Sequence, residues 1–469
     1  MKKPNILVIM PDTLRGDSLA SAGHPAVQTP NLDRLASMGV RFDNAYSSSP
    51  ICMPARSNCI SGLYSHNTGQ WSNTGHLPAG TRTYMSVLRE NGYRTAHIGK
   101  SHYYVHSGQH LESEKDYVKS LGHEDVLETT GPWATLDTDS ILTDRWRKMG
   151  LLDMFRDDYL RRQEVGPFKA TWPSPLPEDE HMDTFVVRTA ARYLRDYDDE
   201  RPFAVFVGIG GPHDPWDPPQ AWADRFEDVD VPAPLPPTEA EAWLGASAQA
   251  FHKAMMGEPA DKETWQAIRR LYYAKIAHLD SLVGELLDVL EAKGELDNTV
   301  IAFWSDHGDR LCDRGKVHKS VYYDESARVP LILRLPGNPG AGKGCESIVS
   351  INDIFPTVLE AAGVESVDCF GQSLVPATAD AGATFHEAVF SEIENAGGRT
   401  TMIRTQRYKM VINVEAETLQ LFDMQKDPRE LQNLAGRGDM SDLERDLKDR
   451  IFRWRLETGT DLQGLGCPQ

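Results

Sequence analysis

Thr299-Val-Ile-Ala-Phe-Trp304 runs straight into Ser305-Asp306-His307-Gly308. Six strand-forming, mostly apolar residues match a strand buried on both faces, and the polar residues with glycine that follow cannot continue it. The same grammar recurs along the chain. Asn5 to Met10 is apolar and ends in Pro11-Asp12, and Tyr93 to Ile98 leads into Gly99-Lys100-Ser101-His102. Arg201-Pro-Phe-Ala-Val-Phe-Val-Gly-Ile-Gly-Gly211 opens onto Pro212-His213-Asp214-Pro215. Helical patterns lie between these runs. One is Thr29 to Gly39, with Leu32 and Leu35 spaced for one face; another is Trp265 to Lys293, with Ile268, Leu271, Leu279, Leu282, Val283, Leu286 and Leu290 in a core-facing stripe. Strands alternating with helices predict an α/β protein whose sheet is mostly parallel and flanked by helices. Polar residues that follow strand after strand should then gather at the carboxyl edge of that sheet, where such folds bind ligands.

At 469 residues the chain is long enough for one large domain and a smaller one. Hydrophobic residues at 40% and charged residues at 25% are ordinary for a globular protein. A net charge of −20 argues against nucleic acid or an anionic membrane as a partner. It also means that a site for anions must concentrate its own positive charge. Cys52, Cys59, Cys312, Cys345, Cys369 and Cys467 are sparse and irregularly spaced, unlike a disulfide framework or a zinc motif. No apolar run reaches membrane-spanning length, and the opening residues lack a secretory pattern, which predicts a cytoplasmic location.

Residues 103–180 are polar, weakly periodic and rich in Trp, Asp and Gly, and read as an inserted lid over the site. Val231 to Pro237 reads as an extended loop. Beyond about residue 370 the pattern changes. Thr401 to Ile412 and Gln420 to Asp423 read as strands of a small antiparallel sheet, followed by a helix from about Ser441 to Leu456. The expected division is a catalytic domain over 1–370 and a C-terminal subdomain over 371–469, built from an antiparallel sheet and a helix.

Asp12 and the Asp306-His307 pair each sit at the predicted end of a strand, so folding can bring them together. Two carboxylates and an imidazole suit a divalent cation. Cys52-Met-Pro-Ala-Arg56 has the form C-x-P-x-R and continues as Ser57-Asn-Cys-Ile-Ser-Gly62. With the strand-to-Asp12 opening, Gly99-Lys100-Ser101-His102, Pro212-His213, Ser305-Asp306-His307-Gly308, Lys319 and the Arg404-Thr-Gln-Arg-Tyr-Lys409 tail, it resembles the sulfatase family of the alkaline-phosphatase-like superfamily, over nearly the whole chain and in the family's order.

The resemblance implies that Cys52 is oxidised to Cα-formylglycine by a formylglycine-generating maturation enzyme. The aldehyde hydrate carries two hydroxyls: one attacks a sulfate ester, and the other collapses the covalent sulfated intermediate. It further implies a metal site of Asp12, Asp306, His307 and the modified residue 52. Arg56 would support the hydrate, Lys100 and Lys319 would hold sulfate oxygens, His102 would lie near the nucleophile, and His213 would serve the leaving-group side. Taken singly, the two lysines would read as solvated surface residues, and His213 as a loop residue. His66, His97, His278 and His318 have no such support and read as structural or surface histidines. Tyr103, Tyr104 and Trp216 are close enough in sequence to His102 and His213 either to line the pocket as aromatic walls or to pack the lid.

Two departures matter. Thr13 follows Asp12 where many relatives have a second aspartate, and His307 stands where many have asparagine. One divalent metal is implied, calcium by family habit, with manganese or zinc admitted by the imidazole. The implied activity is hydrolysis of a sulfate monoester, arylsulfatase-like, on a small-molecule or saccharide substrate; a homo-oligomer is left open. The alternative is a phosphonate monoester or phosphodiester hydrolase using the same nucleophile and metal, since related phosphonate monoester hydrolases and choline sulfatases share such features. A third reading is a catalytically dead homologue that binds sulfated ligands, which the filling of every chemical position argues against.

Overall fold

The structure is a computed structural model that describes residues 3–166, 168–238, 260–395, 398–415 and 417–462. Cys467 lies outside the described residues.

Eight strands form the main sheet: β1 (Asn5–Asp12), β2 (Val40–Tyr46), β3 (Arg94–Lys100), β4 (Asp125–Thr129), β5 (Phe203–Pro212), β6 (Thr299–Trp304), β7 (Arg328–Arg334) and β8 (Lys343–Ser350). Their order is β4-β3-β5-β1-β6-β7-β2-β8. Only β7 runs antiparallel to its neighbours, β6 and β2. Side chains alternate across the sheet as strand geometry requires. Ile6, Val8 and Met10 of β1 enter one core, with Phe206, Trp304 and Phe355. Leu7 and Ile9 enter the other, against Ile301, Phe303 and the helix Lys262–Ala292. Both faces are therefore covered, which is why the strands read as unbroken apolar runs.

The sequence expectations held for the main elements and failed in two instructive places. Asp125–Thr129, inside the stretch expected to be a lid, is the edge strand β4 and pairs in parallel with β3. The single strand expected over Thr401 to Ile412 is two, β10 (Gly398–Thr405) and β11 (Tyr408–Asn413), joined by a turn in which the Tyr408 amide donates to Thr405 Oγ1 at 2.9 Å. They belong to a four-stranded antiparallel sheet with β9 (Ala388–Asn395) and β12 (Thr418–Asp423), next to the helix Ser441–Thr458. The helix expected from Thr29 forms over Pro30–Ser37, but Thr29 does not cap it. Asp280 of the long helix instead accepts from the Asn31 and Leu32 amides. Among the described residues no helix is long and apolar enough to cross a membrane.

Candidate active site

β1, β3, β5 and β6 are adjacent and parallel, so their carboxyl ends deliver Asp12, Lys100, His213 and Asp306-His307 to one edge. Gly99 permits this packing. A Cβ there would lie 2.1 Å from the Gly208 carbonyl oxygen of β5, and its φ of +95° suits glycine alone. Cys52 enters from elsewhere, as the first residue of the buried helix Cys52–Ser61. Its place at a helix N-terminus adds the positive end of the backbone dipole to the site.

Asp12, Cys52, Asp306 and His307 offer four ligand atoms that all lie within 4.8 Å of one another. Cys52 Sγ is 3.2 Å from His307 Nε2 and 3.8 Å from Asp12 Oδ1. His307 Nδ1 is 2.9 Å from the Gly308 carbonyl oxygen; with the Nδ1–H donating there, Nε2 turns a lone pair toward the two aspartates. Asp306 Oδ1 accepts from the Thr13 and His307 amides, and its Oδ2 accepts from Arg56 Nε at 2.8 Å. This set, two carboxylates, one imidazole nitrogen and the side chain of residue 52, all buried, fits a divalent cation.

Burial and the neighbouring Cys52 sulfur both push the Asp12 carboxyl up, but Lys100 and Arg56 outweigh them and hold it well below the usual range. Lys100 Nζ donates to Asp12 Oδ2, and Arg56 Nη2 reaches the same oxygen at 3.3 Å. Burial also opposes ionisation of Cys52, yet Lys319, Lys100 and His307 bring its thiol well below the ordinary value. That is the field an anion would meet here, with two lysines beside residue 52. His102, in the left-handed region at φ 54°, lies beside Cys52. Burial, then Lys100, lowers its pKa to about 3, so it is neutral and able to accept a proton. His213 Nδ1 lies 2.6 Å from the Asp214 carbonyl oxygen, while Nε2 faces Lys319 Nζ at 2.6 Å.

With this geometry in place, two family models cover the chain: the sulfatase model matches residues 4–364, and the C-terminal model of N-sulphoglucosamine sulphohydrolase matches residues 313–457. The chain belongs to the sulfatase family. It is a sulfuric ester hydrolase. A choline-sulfatase of Rhizobium meliloti is 31% identical over 92% of this chain and 82% of its own length. An arylsulfatase of Clostridium perfringens is 29% identical over 92% of this chain and 90% of its own. Among solved structures, the phosphonate monoester hydrolase of Agrobacterium radiobacter superposes with a TM-score of 0.77 at 24% identity, covering 97% of this chain and 96% of that one.

In this sulfatase the residues singled out from sequence, Asp12, Cys52, Arg56, Lys100, His102, His213, Asp306, His307 and Lys319, converge on one edge of the sheet. Arg56 lies against both aspartates, bridging Asp306 and Asp12 and donating Nη1 to the Lys100 carbonyl oxygen at 3.0 Å. His66 is structural, between Glu392 and the Thr458 carbonyl oxygen. His318 is half-buried, and its ring stands 6.2 Å from that of His213.

Tyr103, Tyr104 and Trp216 are packing residues. Tyr103 is set among His97 and His123, Tyr104 donates its hydroxyl to Glu128 at 2.8 Å, and Trp216 lies on Phe168. Sequence reasoning missed Thr13, which is held at φ 69° with its hydroxyl on Asp12 Oδ1 at 2.6 Å and its amide on Asp306. It joins the two aspartates, and its position directly after Asp12 was the available signal. Asn73 was also missed; its Oδ1 accepts from the Met53 amide beside residue 52, and no local pattern announces it.

Proposed function

We propose that this sulfatase hydrolyses sulfate monoesters with residue 52 as the nucleophile after conversion to formylglycine, assisted by one divalent cation. The observation that carries the reading is the meeting of residue 52 with Asp12, Asp306 and His307 inside a ring formed by Lys100, Lys319 and His102. The converted residue supplies a hydroxyl nucleophile and a second hydroxyl for regeneration, and the cation, held by Asp12, Asp306 and His307, supplies charge screening and acidification of that hydroxyl.

The chain's own side chains do the rest. Arg56, Thr13 and the His307 amide fix the Asp306 carboxylate, so the metal ligands need not reorganise. Lys100 and Lys319 flank residue 52 and can take the anionic oxygens, offsetting repulsion from a protein of net charge −20. Lys319 stays charged: burial opposes its charge, but Cys52, Asp12 and Asp214 raise its pKa above the ordinary value. Neutral His102 can accept a proton from the side chain of residue 52. His213 Nε2 faces Lys319 and so lies beside the bound anion, where it can protonate the departing alcohol oxygen.

Relatives named for aryl, choline and N-acetylglucosamine-6-O sulfates support a small-molecule or saccharide alcohol. A structural neighbour solved with its substrate D-glucosamine-2-N,6-O-disulfate points the same way. Phosphonate monoesters and phosphodiesters carry the same single charge and could use the same ring.

The test joins mass spectrometry of the peptide containing residue 52 with turnover of matched sulfate, phosphonate and phosphodiester esters. The expected result is conversion of Cys52 and a preference for sulfate. Cys52→Ala should abolish turnover with the fold intact, and Cys52→Ser should allow one covalent sulfation without efficient release. Rapid multiple turnover by either variant overturns the nucleophile, and a phosphonate or phosphodiester preference overturns the sulfate assignment.

A further inference from the structure

Asp214 follows the leaving-group histidine and is buried, with 2% of its surface exposed. Its two oxygens are treated differently. Oδ2 accepts from the Trp133 indole Nε1 at 2.6 Å. Oδ1 has no hydrogen-bond partner, although it lies 3.1 Å from His213 Nδ1 and 3.9 Å from His318 Nε2. An orphaned, buried carboxylate oxygen is costly unless a positive charge can form next to it. Burial pushes the Asp214 carboxyl up, but His213, His318 and Lys319 bring it down to about 2, so it is ionised. His318 is not the group that answers it. Burial and Lys319 lower the His318 pKa to about 3 and keep that ring neutral. His213 remains.

We propose that Asp214, latched by Trp133, is the positioning residue that holds His213 by its Nδ1 side, with the Asp214 carbonyl oxygen at 2.6 Å and the carboxylate Oδ1 at 3.1 Å, and so turns Nε2 toward the ester. The inference rests on the reading of His213 as the leaving-group acid. A carboxylate at Nδ1 stabilises the imidazolium and keeps the transferable proton at Nε2. The other charged and titratable groups facing His213 are Lys319 at Nε2, the neutral ring of His318, Lys275 donating to the His213 carbonyl oxygen at 2.9 Å, and Asp12 across the site. Charged Lys319 donates to Nε2 here, so Nε2 is freed to serve the ester oxygen once Lys319 turns to the bound anion, while Asp214 places the opposite charge at the Nδ1 side.

The latch reaches further. Trp133 stacks edge-on against Tyr159, with ring centroids 5.3 Å apart, and the Tyr159 hydroxyl donates to Asp217 Oδ2 at 2.7 Å. Lys275 binds Asp217 Oδ1 as well as the carbonyl oxygens of His213 and Pro215. The segment carrying His213 is thus fixed from one side by the long helix and from the other by residues 133 and 159.

The experiment compares wild type with Asp214→Asn, Trp133→Phe and His213→Ala, all as matured enzyme. It measures kcat/KM on a series of phenyl sulfates running from nitro-substituted to unsubstituted, with an alkyl sulfate at the poor end, across pH. Asp214→Asn should lose roughly 10–100-fold on the poorest leaving groups, a part of the ~10²–10⁴-fold that general acid catalysis supplies, and little on the best. Its alkaline limb should move to lower pH. Trp133→Phe keeps the ring and removes the donor, so it should steepen the leaving-group dependence in the same sense by less. This second variant decides the matter if Asp214→Asn fails to fold. If His213→Ala steepens the series while both Asp214→Asn and Trp133→Phe shift it uniformly, the positioning role is wrong and the acid assignment survives. If His213→Ala itself lowers every ester equally, the acid assignment falls, and this inference falls with it.

Discussion

Arg56→Ala should be the most informative single substitution for the architecture of the metal site. The guanidinium is fully buried, with Nε 2.8 Å from Asp306 Oδ2, Nη2 3.3 Å from Asp12 Oδ2 and Nη1 3.0 Å from the Lys100 carbonyl oxygen. At an effective dielectric of about 20, each unit-charge pair at about 4 Å is worth roughly 4 kcal/mol before desolvation is subtracted. Removing arginine relieves its own desolvation but strands two buried carboxylates. The net loss expected for breaking one side of such a network is about 3–5 kcal/mol in metal-free protein. Arg56→Lys keeps the charge, but one ammonium cannot span both aspartates and a carbonyl; losing charge-assisted hydrogen bonds should cost about 1.5–3 kcal/mol. A divalent cation adds positive charge at the same carboxylates, so the Arg56→Ala deficit should shrink when metal is saturating. Urea unfolding followed by tryptophan fluorescence, with chelator and with metal, reads both numbers. A deficit below about 1 kcal/mol in chelator, or one that metal enlarges, would refute the reasoning.

Two further predictions follow from named contacts. His307→Asn exchanges an imidazole nitrogen for an amide oxygen and should move metal preference toward calcium over zinc or manganese; competition titrations on metal-free protein would show it, and an unchanged ranking would count against His307 as a ligand. His386 Nε2 sits 2.9 Å from Asp353 Oδ2, and although burial opposes the charged ring, Asp353 raises its pKa above the ordinary 6.5. A folded-state pKa above the unfolded one gives stabilisation that is whole below the unfolded value and lost as pH rises through the folded one. His386→Gln should therefore cost more stability at about pH 5.5 than at about pH 9, and an equal cost at both would remove the ion pair from the account.

What could be read from sequence was whatever is local and repeated. β1, β5 and β6 are apolar because both faces are covered, and each ends in the polar residues that form the site, so strand and chemistry were legible together. β4 was not. Asp125-Val-Leu-Glu-Thr129 is an edge strand with two apolar residues, and only its pairing with β3 makes it a strand. Glu128, near its end, accepts from Tyr104 and Ser101 and was lost with it. The cap on the helix Pro30–Ser37 comes from Asp280, about 250 residues away, a contact that no local pattern announces. Trp133 and Asp214 are 81 residues apart, and nothing in either neighbourhood marks the other. Family order found the residues that gather around Cys52; it could not find those that hold them in place, because those contacts run between segments.

That division bears on how this sulfatase could choose its alcohol. Asp12, Asp306, His307, Lys100 and Lys319 converge around residue 52, and the roles proposed for them concern only a cation and the anionic group, so they carry no information about the group beyond the ester oxygen. Tyr103, Tyr104 and Trp216, the aromatic residues nearest in sequence to the two candidate proton-transfer histidines, are consumed by packing and offer no wall. Trp133 and Tyr159, by contrast, lie in the weakly patterned stretch between β4 and β5 and are bonded through Asp214 and Asp217 to the loop that carries His213. A substitution in that stretch that admits a different alcohol would also move His213, the proposed acid. Substrate range and leaving-group chemistry should then change together in this enzyme, because one set of contacts supports both.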